Sequence, residues 1–202
     1  MAAILYQGHS SFRIITESGL VIYIDPYRGV GYNIPADVIL VTHDHFDHNQ
    51  VDMVSKRNDC TIITFKEALV DGEYNSFQIN DVLIEAVPAY NKNHDRSCCV
   101  GYMIQFEGRT LYFPGDTGIT EEMKDYPSRD IDIFFIPMDG IYTMDLEEAK
   151  RASEIVQAKY CVPIHTAPQY GKEDDSLYSL ETAEKFDGKI KVIIKPGENF
   201  VL

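Results

Sequence analysis

An unbroken apolar run, Asp37 to Thr42 (DVILVT), ends in His43-Asp44-His45-Phe46-Asp47-His48. The run reads as a buried strand. Three imidazoles and two carboxylates therefore arrive together where that strand leaves the core. Imidazole nitrogen and carboxylate oxygen are the donors that zinc and similar divalent ions take. Such a cluster, set against a hydrophobic strand, is costly without a ligand. Alternate residues project to one side where a strand runs out, so His43 and His45 can share one ion. Asp47 and His48, past the turn, can face a second. Four residues cannot fill two coordination spheres, so the fold must bring further donors from distant sequence.

The remaining histidines and two aspartates supply candidates. His94 lies in Ala-Tyr-Asn-Lys-Asn-His-Asp, and His165 in Val-Pro-Ile-His-Thr, each just beyond a strand-like run. A lone histidine at a strand end is usually a structural hydrogen-bonder, but the half-site at 43–48 turns the balance toward a ligand role for both. Asp116, in Phe-Pro-Gly-Asp-Thr-Gly, is a turn residue when taken alone; as a carboxylate at another strand end it can bridge two cations. Asp25 closes a strand before Pro26 and reads equally as a cap or as a group beside the metals.

Period-two and continuous apolar runs predict strands over 3–7, 11–16, 20–24, 37–42, 60–64, 82–87, 98–107, 109–113, 131–136, 160–164 and 190–195. Gly8, Ser18-Gly19 and Glu107-Gly108 punctuate them as turns. Helical spacing predicts a short helix from Gln50 to Arg57, a turn over 66–71 ended by Gly72, and helices over 145–159 and 176–186. The 145–159 helix opens on a capping pair, Asp145 and Glu148. Strands dominate early and αβ alternation comes late, as in stacked sheets covered by helices within one α/β domain, residues 1–202.

Composition narrows the function classes. Of 202 residues, 32 are acidic and 18 basic, a formal net charge of −14. A field of that sign repels polyanions, which argues against nucleic-acid and acidic-membrane partners. No stretch approaches the ~20 apolar residues of a membrane span, and the start lacks the pattern of an export signal. Cys60, Cys98, Cys99 and Cys161 show no metal-type spacing and read as reduced, mostly buried thiols of a cytoplasmic protein.

In this order, Tyr-Ile-Asp25-Pro, His43-x-His45-x-Asp47-His48, His94, Gly115-Asp116-Thr117 and His165 resemble the metallo-β-lactamase fold superfamily of metal-dependent hydrolases. Gly8-His9-Ser10, the Gly-Ile-Tyr-Thr-Met segment at 140–144 and Pro196-Gly197-Glu198 are similar to the branch that includes ascorbate-phosphate lactonase-like hydrolases. The resemblance implies a four-layer αββα sandwich with metals at one edge. His43, His45 and His94 would hold a first ion, Asp47, His48 and His165 a second, with Asp116 bridging and Asp25 supporting the 43–48 loop. Three departures stand out. Asn-Lys-Asn precedes His94 where the family commonly has a Pro-Gly pair. Asp116 stands where true β-lactamases use Cys. His45 is kept where flavodiiron-type relatives have Glu.

The implied reaction is attack by a metal-bridging hydroxide on a small-molecule ester, lactone, amide or phosphodiester, with Asp47 and Asp116 as the catalytic carboxylates. The cofactors would be two divalent ions, zinc foremost, with manganese or iron as alternatives. Tyr90, Asn91, Arg96 and Tyr142 are candidates to line the cleft, and His9 either lies below the site or is structural. A tRNA-processing-type nuclease, an iron-containing redox protein and a metal-stabilised scaffold are the competing readings. The first is disfavoured by the acidic surface and the lack of an RNA-gripping insert, and the last by a seven-residue ligand set.

Overall fold

Along the central strands, side chains are apolar on both faces, and two six-stranded sheets stacked on each other accommodate them. The structure is a computed structural model and describes residues 1–170 and 176–201. Its elements are β1 (Ala3–Gly8), β2 (Ser11–Ile15), β3 (Val21–Ile24), β4 (Ala36–Leu40), β5 (Lys56–Ile63), α1 (Phe65–Ala68), β6 (Leu69–Val70), β7 (Glu73–Tyr74), β8 (Ser76–Ile79), β9 (Val82–Pro88), β10 (Val100–Phe106), β11 (Arg109–Phe113), β12 (Ile133–Pro137), α2 (Leu146–Val156), β13 (Tyr160–Ile164), α3 (Leu180–Lys185) and β14 (Asn199–Val201). Strand order is β14-β1-β2-β3-β4-β5 in one sheet and β13-β12-β11-β10-β9-β8 in the other, with β6 and β7 forming a small hairpin.

The inner layer is a dry core of Phe12, Ile14, Ile22, Leu40, Tyr102, Ile104, Phe113, Phe135 and Val162. Odd and even positions separate cleanly. On β12, Ile133 and Phe135 face this core, whereas Phe134 and Ile136 face outward beneath α2. Phe113 and Phe135 stack with ring centroids 4.3 Å apart, and Phe12 closes on Phe135 at 4.6 Å. Asp145 caps α2 by accepting from the Glu148 backbone at 2.8 Å. Glu148 does not complete the box, because its carboxylate accepts from the Ile119 backbone instead.

Strand direction decides where the site lies. β1, β3 and β4 run the same way in the first sheet, and β9, β11, β12 and β13 run the same way in the second. Each of these seven strands is followed within a few residues by a polar side chain: His9, Asp25, His43, His94, Asp116, Asp139 and His165. All emerge from carboxyl ends, the usual ligand-binding edge of such sheets. Bonds between the sheets at this edge include the Val100 backbone donating to Thr42 O at 3.0 Å, Tyr102 Oη donating to Val41 O at 3.1 Å and the His165 backbone donating to His9 O at 2.9 Å.

Several predicted elements differ. The helix expected from Gln50 to Arg57 is a single 3₁₀ turn, Val51–Met53, followed by β5 from Lys56. Val51 and Val54, three apart, are satisfied by one turn that joins them to the apolar cluster on the outer face of β3 and β4, and the chain must then extend to pair with β4. The turn over 66–71 divides into α1 and the β6–β7 hairpin. The helix over 176–186 shortens to α3, capped when Ser179 accepts from Thr182 N. The strand over 190–195 is one bridge, Lys191 to Cys161; from there the chain crosses from the β13 edge to β1, and β14 pairs there instead. The 3₁₀ segment Glu121–Arg129 and strand β8 were not evident in the sequence. All four cysteines are free; Cys99 and Cys161 are buried, Cys60 and Cys98 half-buried. No helix among the described residues is long and apolar enough to cross a membrane.

Candidate metal centre

Asp116 is the meeting point. It follows Gly115, whose φ of +64° brings the turn against Thr42; a Cβ there would lie 2.8 Å from Thr42 Cβ. The turn aims the Asp116 carboxylate at three imidazoles. His94 Nε2 and His165 Nε2 each lie 3.3 Å from Oδ2, and His48 Nε2 lies 3.4 Å from Oδ1. His43 Nε2 is 4.0 Å away. None of these approaches except that of His43 exceeds 3.4 Å, yet His48 Nε2, His94 Nε2, His165 Nε2 and Asp116 Oδ1 all lack hydrogen-bond partners among the described residues. Buried polar atoms are normally paired. Four orphaned donor atoms converging on one point are what a cation site requires.

The donors fall into overlapping groups whose ligand atoms lie within 4.8 Å of one another: His43, His45 and His94; His9, Asp47, His48 and His165; and His43, His48 and Asp116. All seven residues predicted as ligands are therefore together. His45 alone of these is exposed, with its Nδ1 3.0 Å from His43 Nε2.

The nitrogen of each buried imidazole that points away from Asp116 has its own neighbour, which fixes ring orientation and tautomer. His43 Nδ1 meets Thr42 Oγ1 at 3.0 Å, and His48 Nδ1 donates to Asp25 Oδ2 at 2.9 Å. His94 Nδ1 donates to Asn91 Oδ1 at 3.0 Å, and His165 Nδ1 lies 3.1 Å from Asp139 Oδ2. Asp25 also accepts from Thr42 N and Thr42 Oγ1, each at 2.8 Å, so it joins His48 to the end of β4.

The sequence reading missed Asp139. Its carboxylate is fully buried, and its Oδ1 accepts from the backbone of Ile141, Tyr142 and Thr143, which shapes the 140–144 segment. A signal existed, since Asp139 closes an apolar run as Asp25 and Asp116 do. Two cleft candidates are elsewhere. Arg96 pairs with Glu122 at 2.6 Å and lies over the Tyr90 ring, so neither Arg96 nor Tyr90 lines the cleft. Asn91 orients His94, and Tyr142 does line the cleft. That cleft, of about 400 Å³, is walled by Phe46, Asn93, Tyr142, Gln169 and Tyr170, with His45, Asp47, His94, Asp116 and His165 at its floor.

Charge within the site is sharply divided. Burial holds His43 well below the ordinary imidazole range and pushes His9 down to about 3. Burial also opposes protonation of His165, but Asp116 and Asp139 outweigh it and raise that imidazole to about 10. His48 is raised in the same way by Asp116 and Asp25. Burial favours the neutral form of Asp116, yet His165 and His48 hold it well below the carboxylate range. The surrounding carboxylates thus favour the protonated forms of His48 and His165, and a cation binding there would compete with those protons.

Comparison with known proteins agrees with this architecture. The family model described as "Beta-lactamase superfamily domain" matches residues 3–165. A UPF0173 metal-dependent hydrolase of Geobacillus sp. strain WCH70 is 31% identical, with 98% of this chain and 99% of that protein aligned. Among solved structures, a protein from Parabacteroides distasonis described as a metal-dependent hydrolase superposes with a TM-score of 0.74 at 28% identity, covering 94% of this chain and 91% of that one. A metallo hydrolase from Ignicoccus hospitalis gives the same TM-score at 21% identity over 100% and 99% of the two chains, a likeness of fold.

Proposed function

Since the chain belongs to the β-lactamase superfamily and is a metal-dependent hydrolase, we propose that it cleaves an ester, lactone, amide or phosphodiester of a small molecule, using two divalent cations. The observation that carries this reading is the set of unpaired donor atoms around Asp116 at the floor of an open cleft. One cation would be held by His43 Nε2, His45 Nδ1 and His94 Nε2, the other by Asp47, His48 Nε2 and His165 Nε2, with Asp116 between them. Such ions supply a hydroxide nucleophile near neutral pH and polarise the scissile group. Zinc suits this nitrogen-rich set, and manganese and iron can use it too.

The chain's own residues do the rest. Asp116 is held ionised by its neighbours and reaches both halves of the site, with Oδ2 beside His94 and His165 and Oδ1 beside His48. Asp47 is also held ionised: burial opposes this, but His9 outweighs it. Its carboxylate lines the cleft, with one oxygen on His9 and the other left for a cation. Phe46, Tyr142 and Tyr170 offer apolar contact and Asn93 and Gln169 amide contact to a bound molecule. A volume of about 400 Å³ falls within the ~300–1,000 Å³ common for small ligands. The net charge of −14 works against a polyanionic substrate.

The test is a panel of aryl esters, lactones, amides and phosphodiesters given to protein loaded with zinc, manganese or ferrous iron. Turnover of at least one class, lost in both Asp47→Ala and Asp116→Ala, is expected. Hydrolysis that persists in both variants would refute the assignment.

A further inference from the structure

One buried histidine, His9, stands outside the seven predicted ligands, although it falls in one donor group with Asp47, His48 and His165, and it contacts Asp47 and His165 directly. It sits in the turn between β1 and β2 at φ +55°, with no exposed surface. Its Nε2 donates to Asp47 Oδ2 at 3.2 Å, because a carboxylate can only accept. Its ring lies 3.7 Å, centroid to centroid, from that of His165. Its carbonyl accepts from the His165 backbone at 2.9 Å and from Tyr6 Oη at 2.9 Å. The backbone of His165 is itself left-handed, at φ +46°. Asp47 and His165 come from different sheets and lie 118 positions apart; His9 joins them through side chain, ring and main chain at once.

We propose that His9 is a positioning residue for the second cation: it fixes the Asp47 carboxylate and the His165 ring relative to each other. With Oδ2 committed to His9, Asp47 is left one oxygen to offer the ion. With the ring and backbone of His165 braced on His9, Nε2 is held toward Asp116. A filler of similar shape would pack the same space, but it would not donate to Asp47, and an imidazole buried without such a partner carries a desolvation cost. The inference rests on the two-cation reading above.

The experiment titrates zinc into the metal-free full-length chain against a chromophoric chelator, resolving two binding steps. His9→Asn tolerates the left-handed backbone but is too short to reach Asp47. His9→Gln reaches Asp47 with an amide N–H. His9→Asn is expected to weaken one step about 10–100-fold, the usual effect of losing a group that orients a ligand, and to leave the other within twofold. His9→Gln is expected to recover most of the loss. In an Asp47→Ala background, His9→Asn should add little to the same step, because the two changes remove one interaction. Wild-type steps in His9→Asn, full additivity with Asp47→Ala, or equal weakening of both steps with a matching loss of metal-free thermal stability would overturn the positioning role alone. Binding of fewer than two zinc ions by the wild-type chain would overturn the two-cation reading, and this inference with it.

Discussion

Asp25→Asn is the most informative single change, because it alters one proton count and almost no volume. The carboxylate is 1% exposed and accepts three hydrogen bonds: Thr42 N at Oδ1, and Thr42 Oγ1 and His48 Nδ1 at Oδ2. Asn tolerates the φ of +43° at this position, so the backbone has no reason to move. An amide has one oxygen. The backbone N–H of Thr42 cannot change its role, so that oxygen stays on Thr42 N and the NH₂ turns toward Thr42 Oγ1 and His48 Nδ1. Once neutral, as cation binding requires, His48 can relieve the donor–donor clash only by carrying its proton on Nε2, the nitrogen that faces Asp116. Thr42 Oγ1, now accepting from the amide, can turn its hydroxyl toward His43 Nδ1 and shift that tautomer as well. Loss of one charge-assisted hydrogen bond costs about 1.5–3 kcal/mol. The same disturbance read at the metal is about 10–100-fold in affinity, or about 1.4–2.8 kcal/mol. Chelator competition on the metal-free protein measures the second quantity and urea unfolding the first. A folded Asp25→Asn protein that binds zinc as tightly as wild type would refute the tautomer argument.

Asp116→Ala removes the carboxylate on which both halves of the site converge, and elemental analysis after dialysis should show fewer than two metal ions per chain. The pH dependence of the metal-free protein follows from His165. Its folded value of about 10 lies above the unfolded value of 6.5, so its stabilisation is complete below pH 6.5 and is lost as pH rises toward 10. Melting temperature measured in chelator should fall across that window, while zinc affinity, which competes with the same proton, should rise. Phe135→Ala empties the centre of the stacked Phe12–Phe113–Phe135 cluster and should cost about 3–5 kcal/mol in denaturant unfolding, with the m-value unchanged.

The candidate donors were legible in the sequence because His43, Asp116 and His165 follow apolar runs, and because three imidazoles and an aspartate occur within six residues. Strand runs such as Ile133–Pro137 were legible for the same reason: burial on both faces leaves no polar position to blur the pattern. Short segments were not. Val51 and Val54 fit a helix as well as they fit one 3₁₀ turn, and only the need of β5 to pair with β4 decides between them. Asp139 carried the same local signal as Asp116, but which carboxylate touches a cation site and which braces a histidine depends on the neighbour each meets across the sheets.

Residue chemistry and spacing thus set which donor atoms this chain can offer and that they leave the core at strand ends. Which donors lie near enough to share an ion, which are held by a partner, and that His9 links Asp47 to His165 depend on tertiary structure. The reason is geometric: parallel strands of two separate sheets end at one edge, and only their stacking brings residues as distant in sequence as His9 and His165 into contact, with the His165 backbone N–H 2.9 Å from the His9 carbonyl.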